Sequence, residues 1–388
     1  MSLLPSFQPR ISWIVGARRA AAVLALLFVF LLGIHGMGTG FKMLGKDLIG
    51  AFFTATENPF VGLVVGILAT TLVQSSSVTT SMIVGMVAAP DNPLPLANAI
   101  PMVMGANIGT TVTNTVVSLA HMGRRDEFQR AFAVATCHDF FNYLTVAMLL
   151  PLELTFGYLR RTAGILCSTI RGSTGVSYQS PLKPALKAAL DPIERAVSAL
   201  LEATPAQGVV LALISAVLIF VALFLLVKVM RLAMQTRVEI ILGRALGTNA
   251  VVSMIVGAVI TVLVQSSSIT TSLLVPLAGA GLITLRKAFP IALGANVGTT
   301  ITALLAALAV SGPNAQAGIQ IALIHLLFNL SGSLLIYPVD RVRRIPLNAA
   351  RKLAAIAVQS RRWAVFYVVG LFYALPALLI LLDHLLSR

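Results

Sequence analysis

A short polar motif occurs twice inside long apolar sequence, and this duplication most constrains the fold. The motif is Gln74-Ser75-Ser76-Ser77 in segment 63–89 and Gln265-Ser266-Ser267-Ser268 in segment 254–280, and the segments are identical at 14 of 27 positions. GANIGTT at 105–111 recurs as GANVGTT at 294–300, and His138 with Asn142 recurs as His325 with Asn329. Unsatisfied polar groups at membrane depth cost several kcal/mol each unless they line a wet cavity. The duplication therefore predicts the two halves of one transporter binding site.

The composition indicates an integral membrane protein. The 388 residues are 57% apolar and 11% charged, with a mean hydropathy of +0.92, whereas soluble domains carry roughly 25% charged residues. The apolar runs are continuous, so we expect an all-α polytopic membrane protein and not a barrel. The net charge of +15 arises from basic clusters beside apolar runs, which is typical of topology signals and not of nucleic-acid binding. The two cysteines offer no metal-binding spacing.

Membrane spans are predicted near 20–38, 95–120, 128–150, 208–230, 287–310, 317–338 and 363–386. The first is interpreted as a helix and not a cleaved signal peptide, because its apolar run is long and no cleavage site follows. Each motif segment is too short for two crossings and too polar for one, which favours a re-entrant helical hairpin with the motif at its tip. Three spans lie between the hairpins, so the fold class predicted is two inverted-topology repeats, each with a hairpin and a broken transmembrane helix.

Five parts follow from this reading. They are an N-terminal segment with the first helix (1–40), repeat 1 (41–151), an extracytoplasmic linker rich in Pro, Gly and Ser (152–207), repeat 2 (208–340), and a basic amphipathic segment with the last helix (341–388). Most basic residues fall on one side if the N-terminus is cytoplasmic, and the C-terminus is then expected outside. The amphipathic segment is expected to lie along the inner leaflet.

The hairpin tips have the chemistry of an ion-binding site. A serine at a helix N-cap leaves spare N–H groups and partial positive charge near mid-membrane. Such a tip can hold an oxyanion through amides and hydroxyls, or a small cation through oxygen atoms. Since no Lys or Arg falls on the duplicated motifs, a bound anion would be balanced by helix termini and co-bound cations. The alternative is that the serines only pack helices together.

The other repeated residues are candidates for supporting roles. The glycines around Asn107 and Asn296 would permit a broken helix, or alternatively close helix packing. Each His and Asn pair lies on one helical face and is interpreted as a hydrogen-bonded strut, with a zinc site or a Ser-His hydrolase as alternatives. Asp139 has no counterpart in the second repeat, where Leu326 stands. An intramembrane carboxylate is a functional candidate, and its alternative is an ion pair with Arg125 or Arg130.

At these residues the sequence resembles the type II sodium-dependent phosphate cotransporter family. The resemblance rests on GLVVGILATTLVQSSSVTTSMIV, IPMVMGANIGTTVTNTVVSL, FQRAFAVATCHDFFNYLTVAMLLPLE and QIALIHLLFNLSGSLLIYPVD, and covers roughly 35–160 and 210–375. It implies sodium-driven symport of divalent phosphate by alternating access, with no enzyme activity, no cofactor and no transition metal. A bacterial inner-membrane protein is expected from the short tails. The oligomeric state, monomer or homodimer, stays open.

The resemblance also implies roles for individual residues. The phosphate-binding residues would be Gln74, Ser75, Ser76, Ser77, Asn107, Thr111, Asn296, Ser267 and Ser268. The sodium-binding residues would be Gln265, Ser266, Thr110, Thr299, Thr302, Asp139 and Asn142. The aspartate in CHDFFN implies electrogenic transport, with three sodium ions per divalent phosphate. The alternatives are a proton- or sodium-coupled transporter of another oxyanion, such as arsenate or sulfate, and an intramembrane hydrolase.

Overall fold

Helices make up all the regular structure in the described part of the chain. The computed structural model describes residues 13–44, 46–174, 183–245, 249–310 and 312–386. In chain order the helices are α1 (Trp13–Met43), α2 (Lys46–Glu57), α3 (Pro59–Val73), α4 (Ser76–Val87), α5 (Leu96–Thr110), α6 (Val112–Leu119), α7 (Arg125–Phe156), α8 (Tyr158–Thr174), α9 (Lys183–Leu200), α10 (Thr204–Ala245), α11 (Ala250–Val264), α12 (Ser267–Gly279), α13 (Leu285–Ala309), α14 (Ala315–Ile336), α15 (Asp340–Gln359), α16 (Arg361–Val369) and, after a π-helical turn at Gly370–Ala374, α17 (Leu375–Leu386).

Six stretches within the described residues are long and apolar enough to cross a membrane. They are Ala17–Met43, Arg125–Phe156, Thr204–Val229, Leu285–Ala309, Ala315–Ile336 and Arg361–Asp383. Each coincides with a span predicted from the sequence. The seventh predicted span, 95–120, is instead two shorter helices, α5 and α6. The all-α multi-pass fold class is therefore confirmed.

The two motif segments form helical pairs. α3 with α4, and α11 with α12, are apolar helices of 12 to 15 residues joined directly at the QSSS motif. A helix needs roughly 20 residues to cross the hydrocarbon core, so none of these four spans it alone. The helical hairpins expected from the duplicated motif are present, one in each half of the chain.

Glycines allow each hairpin to pack closely against the helix of its own half that carries the GAN sequence, α5 for the first hairpin and α13 for the second. A Cβ on Gly105 of α5 would overlap the carbonyl of Leu63 on α3, and a Cβ on Gly294 of α13 would overlap the carbonyl of Met254 on α11. Because the backbones touch, these positions require the absence of a side chain. Of the two readings of the GAN glycines, close helix packing is therefore the one observed.

The prediction of a broken helix in both repeats needs correction. In the first half the chain turns at Thr111 between α5 and α6, but in the second half α13 runs without interruption through the GANVGTT block. The threonine hydroxyls there donate to carbonyls within the same helix, Thr299 to Ala295 at 3.0 Å and Thr300 to Val297 at 2.7 Å. Such local bonds and the tight α11 contact are compatible with a continuous helix, so the glycines do not force a break.

The segments outside the repeats also carry helices. The described parts of the 152–207 linker are α8 and α9 with their flanks, and Leu186 and Leu190 of α9 are buried against α1 and α10. α2 precedes the first hairpin. The predicted basic segment forms α15, which buries Leu347, Ala350 and Ala354 and packs on α7. Residues 1–12, 175–182 and 387–388 lie outside the described residues, and with them both chain ends on which the orientation prediction depends.

Candidate functional site

Each hairpin tip is a sharp reversal made by the motif itself. Gln74 and Gln265 end α3 and α11 in the left-handed region, with φ of 57° and 56°. This conformation costs a non-glycine residue roughly 1–2 kcal/mol. Each glutamine Nε2 donates to a carbonyl in the last turn of the preceding helix, Thr71 at 2.5 Å and Val262 at 2.6 Å. The glutamine side chains thus cap the incoming helices and offset part of the cost of the turn.

The next residue of each motif starts the outgoing helix. Ser75 accepts a hydrogen bond from the amide of Val78 at 3.4 Å, and Ser266 accepts one from the amide of Ile269 at 3.3 Å. Both serines are N-caps with extended backbone. The remaining amides of the first turns of α4 and α12 have no partner within their own helices, so each tip presents N–H groups and the positive end of a helix dipole.

The two tips meet in one cavity. A space of about 300 Å³ is lined by all four residues of both motifs, and its apolar wall comes from α10 through Phe220, Leu223, Phe224 and Val227. Among the described residues, no charged side chain lines this cavity. The serine hydroxyls, glutamine amides and helix N-termini are therefore its polar groups. An anion here would be bound by neutral donors, as at other helix N-termini.

Each glutamine oxygen is held by a threonine of its own half. Thr113 donates to Gln74 Oε1 at 2.9 Å, and Thr302 donates to Gln265 Oε1 at 3.1 Å. Thr302 was predicted from the resemblance, whereas Thr113 was missed. The sequence contains the signal, because Thr113 follows GANIGTT by the same number of residues as Thr302 follows GANVGTT. The two pairs are equivalent oxygen clusters beside the two tips.

Asn107 and Asn296 do not line the cavity between the tips. Both are buried, and they join the two halves of the protein behind it. The Nε2–H of His138 donates to Asn296 Oδ1 at 2.6 Å, and Asn296 Nδ2 donates to Asn142 Oδ1 at 2.9 Å. This network contains residues of both repeats, so it fixes one half against the other.

The second half of the network mirrors the first. His325 and Asn329 donate to Asn107 Oδ1, at 3.4 Å and 3.2 Å, and Asn142 Nδ2 donates to the carbonyl of Asn107 at 2.9 Å. The hydrogen-bonded struts predicted for the two histidines are thus present, but each histidine reaches the asparagine of the opposite repeat. Neither histidine ring forms a hydrogen bond with a serine among the described residues, which leaves the hydrolase alternative without its nucleophile.

Asp139 is fully buried on α7 and lacks the ion pair that was its alternative explanation. Tyr367 donates to its Oδ2 at 2.8 Å and Thr115 donates to the same atom at 3.4 Å. Its Oδ1 has no hydrogen-bond partner among the residues that the structure describes. Arg130 instead donates to the carbonyls of Ala278 and Gly279 at the end of α12. A buried carboxylate with an unfilled oxygen is a position that a cation would occupy favourably.

The other predicted sodium residues are dispersed. Thr110 and Thr299 are buried and donate to carbonyls of their own helices, Ala106 at 2.9 Å and Ala295 at 3.0 Å. Thr111, which was predicted to bind phosphate, likewise donates to the carbonyl of Ile108 at 2.7 Å. These threonines and Asp139 do not line the cavity between the tips. The structure thus brings the two motifs together, with Thr113 and Thr302 beside them. The remaining predicted site residues lie outside the cavity.

Asn114 is a further polar contact between the halves that sequence reasoning missed. Its Oδ1 accepts from Thr271 at 2.9 Å and from Ser272 at 3.0 Å, both on α12. The equivalent residue of the second repeat is Ala303, so the duplication carries no signal for it. This contact ties the second hairpin to α6. No cluster of His, Cys, Asp or Glu suited to a metal occurs in the part of the chain that the structure describes.

The fold and site define a class. Two short helical hairpins whose uncharged tips converge on one cavity, inside a multi-pass helical body, are the features of a secondary transporter built from two repeats.

Comparison with known proteins agrees. The Na+/Pi-cotransporter family model matches residues 29–159 and 197–347, and the chain belongs to this family. It is 36% identical over 424 residues to sodium-dependent phosphate transport protein 2A of Rattus norvegicus, covering 92% of this chain and 66% of that protein. It is 32% identical over 448 residues to protein 2B of Homo sapiens, covering 93% and 64%. The chain thus spans just under two thirds of the length of these relatives. No solved structure matches it significantly.

Proposed function

We propose that this protein is a sodium-coupled symporter of inorganic phosphate, with the anion bound between the two QSSS tips. The observation that carries the proposal is the cavity of about 300 Å³ that both motifs line without any charged side chain. Family membership, and the names of relatives that are sodium-dependent phosphate transport proteins, support the choice of ions. The function is transport and not catalysis, since the family is one of cotransporters.

The charge balance of the cavity explains why sodium would be needed. Divalent phosphate carries two negative charges into a site whose donors are neutral hydroxyls, amides and helix N-termini. Partial charges of about +0.5 at each helix N-terminus balance only part of that charge. Cations bound nearby would supply the rest, and each ion would then raise the affinity of the other by the same factor. Because the duplicated motifs contain no Lys or Arg, we expect the binding of phosphate to be coupled to the binding of sodium.

The oxygen cluster beside the second tip is the best candidate for a sodium site. It consists of Gln265 and Thr302 with Ser266, whereas the equivalent Gln74 of the first tip, which accepts from Thr113, is assigned to phosphate. Sodium requires several oxygen ligands, and the second cluster offers an amide oxygen, a hydroxyl and nearby helix carbonyls. Asn107 and Asn296, bonded to histidines and asparagines, are better suited to hold the two halves together than to touch phosphate directly.

Asp139 would hold the additional sodium ion that makes transport electrogenic. Its unpartnered Oδ1 and its burial without a cationic neighbour support this role. Asn142 lies one helical turn away on the same helix. With three sodium ions and one divalent phosphate, one net positive charge would enter the cell in each cycle.

Alternating access would proceed by movement of the two hairpins relative to the rest of the protein. An inverted arrangement of the repeats would expose the cavity to each side of the membrane in turn. The protein would lie in the plasma membrane, with its N-terminus in the cytoplasm. In our proposal this membrane is a bacterial inner membrane. The proposal holds for a monomer or a homodimer.

The deciding experiment is uptake of radiolabelled phosphate into proteoliposomes under an inward sodium gradient. We expect uptake to disappear when potassium replaces sodium and to increase with an inside-negative potential. Uptake that continues in potassium and follows a proton gradient would favour proton coupling, with Asp139 as the proton carrier. Competition by arsenate or sulfate as effective as that by phosphate would favour the broader oxyanion transporter.

A further inference from the structure

A cavity outside the transport site is lined by three arginines. It has a volume of about 370 Å³ and lies where α7 and α16 begin and α15 ends, lined by Arg125, Arg361 and Arg362 together with Gln359, Ser360 and an apolar floor. Within the part of the chain that the structure describes, no acidic side chain lines it. Since three positive charges share one concave surface without a lining carboxylate, the cavity is suited to an anion.

Among the described residues these three arginines have no hydrogen-bond or ion-pair partner, unlike Arg343 and Arg344 of α15. By contrast, Arg343 and Arg344 at the other end of α15 pair with Asp340 at 2.6 Å and 2.5 Å. The hydrogen bond from Arg343 lowers the pKa of the Asp340 carboxyl, which keeps it ionised as their counterion. The cavity at that end is lined by four arginines together with Asp340, so a carboxylate of the protein itself already serves as the partner of two of them.

The position of the cavity indicates what kind of anion it binds. Two of the six membrane-length helices, Arg125–Phe156 and Arg361–Asp383, begin at it, so it lies at a membrane surface, at the depth of lipid headgroups. Directly beyond the arginines, Val365, Phe366 and Val369 are 48%, 67% and 52% exposed, which gives acyl chains an apolar surface. Trp363 is 52% exposed, and tryptophan is enriched at this depth of the membrane.

We propose that the cavity formed by Arg125, Arg361 and Arg362 binds the phosphate of an anionic phospholipid headgroup, with the acyl chains lying along the exposed apolar face of α16. Arginine forks match phosphate oxygens in geometry, and basic pockets beside membrane helices recognise such headgroups. The lipid would join the first turn of α7 to the start of the last span through the end of α15. This proposal does not depend on the identity of the transported ions.

Trp363 provides a direct readout. The full-length protein carrying Trp13→Phe has Trp363 as its single tryptophan. Two series of vesicles are prepared from phosphatidylcholine and phosphatidylglycerol. In the first series only the phosphatidylglycerol carries bromine on its acyl chains, and in the second only the phosphatidylcholine does. Quenching of Trp363 in the two series gives the ratio of binding constants for the two lipids. We expect phosphatidylglycerol to be preferred by at least tenfold, since each basic residue near the surface contributes roughly fivefold.

The variants separate the cavity from general surface charge. Arg125→Gln, distant in sequence from the reporter, should reduce the preference about fivefold, and Arg361→Gln with Arg362→Gln should reduce it further, by about fivefold for each arginine removed. The matched control is Arg344→Gln, an equal change in charge at the other end of α15, where the arginine is paired with Asp340, and it should leave the preference unchanged. Equal quenching by both lipids, or an equal loss in Arg344→Gln, would overturn the proposal.

A last arm distinguishes lipid from free phosphate. Inorganic phosphate is added to the buffer against chloride of the same ionic strength, and the preference at Trp363 is measured again. We expect no difference between the two salts. If inorganic phosphate alone abolishes the preference, the cavity takes its anion from solution and the assignment to lipid is wrong. Uptake of phosphate is not the readout, so failure of the transport proposal would not affect this result.

Discussion

Replacing Gln265 should weaken sodium dependence in a way that its repeat counterpart does not. Gln265→Ala removes the bond to the Val262 carbonyl at 2.6 Å and the bond from Thr302 at 3.1 Å. Each hydrogen bond contributes roughly 0.5–1.5 kcal/mol net. Loss of both should therefore weaken sodium binding at the second tip by about 2 kcal/mol. At about 1.4 kcal/mol per factor of ten, we expect the sodium concentration for half-maximal uptake to rise roughly thirtyfold.

The assay is initial phosphate uptake in proteoliposomes as a function of both ions. If Gln265 acts on sodium, its variant should recover phosphate affinity when sodium is saturating, because linkage works only through the ion that is bound less well. In Gln74→Ala the loss of phosphate affinity should persist at saturating sodium. Identical behaviour of the two variants at every sodium concentration would refute the division of roles between the tips.

Two controls separate sodium binding from the shape of the tip. Gln265→Gly removes the same side chain but adopts φ of 56° without the cost that alanine keeps, so it should fold better than Gln265→Ala and lose sodium dependence equally. Thr302→Val leaves the glutamine in place and removes only the donor at 3.1 Å. It should raise the sodium requirement by less, about fivefold for a loss of roughly 1 kcal/mol.

Three further predictions follow from the packing and the buried polar groups. Gly105→Ala and Gly294→Ala should each lower the thermal unfolding temperature, since the new methyl overlaps a backbone carbonyl and overpacking costs about 1–3 kcal/mol, whereas Gly123→Ala, with open space around it, should not. Asp139→Asn should abolish the dependence of uptake on membrane potential while sodium-driven uptake continues, and charge movement equal to wild type would contradict its role. Asn114→Ala should reduce transport without lowering phosphate binding at equilibrium, because it breaks only the contact with Thr271 and Ser272, and a loss of binding would contradict a purely positioning role.

The duplicated sequence was sufficient to predict the hairpins and their meeting point. A polar motif at the middle of an apolar segment has few stable arrangements in a membrane, and its repetition pairs the two tips. Thr113 was equally predictable from its alignment with Thr302. The duplication could not predict a functional residue at a position where the two halves differ, such as Asn114, which is equivalent to Ala303.

Other features depend on contacts between distant segments. Each histidine bonds to the asparagine of the opposite repeat because of the way α7 and α14 pack on α13 and α5. Nothing in the local sequence specifies this pairing. The continuous α13 was missed because glycine and threonine are compatible both with a break and with close packing, and the neighbouring α11 decides between them. The helices of the linker were hidden by its Pro, Gly and Ser content, although Leu186 and Leu190 are spaced for one helical face.

In the proposed transport site, both tips contact one and the same phosphate ion. Val78 and Ile269 line the cavity behind the two serine triplets and are equivalent in the repeats, so cysteines there leave the polar groups intact. In a background lacking Cys137 and Cys167, the rate of thiol labelling at each position is measured against phosphate concentration in saturating sodium. We expect protection of both positions with the same half-effective phosphate concentration. Protection of one position alone, or of the two at different concentrations, would contradict a single shared site.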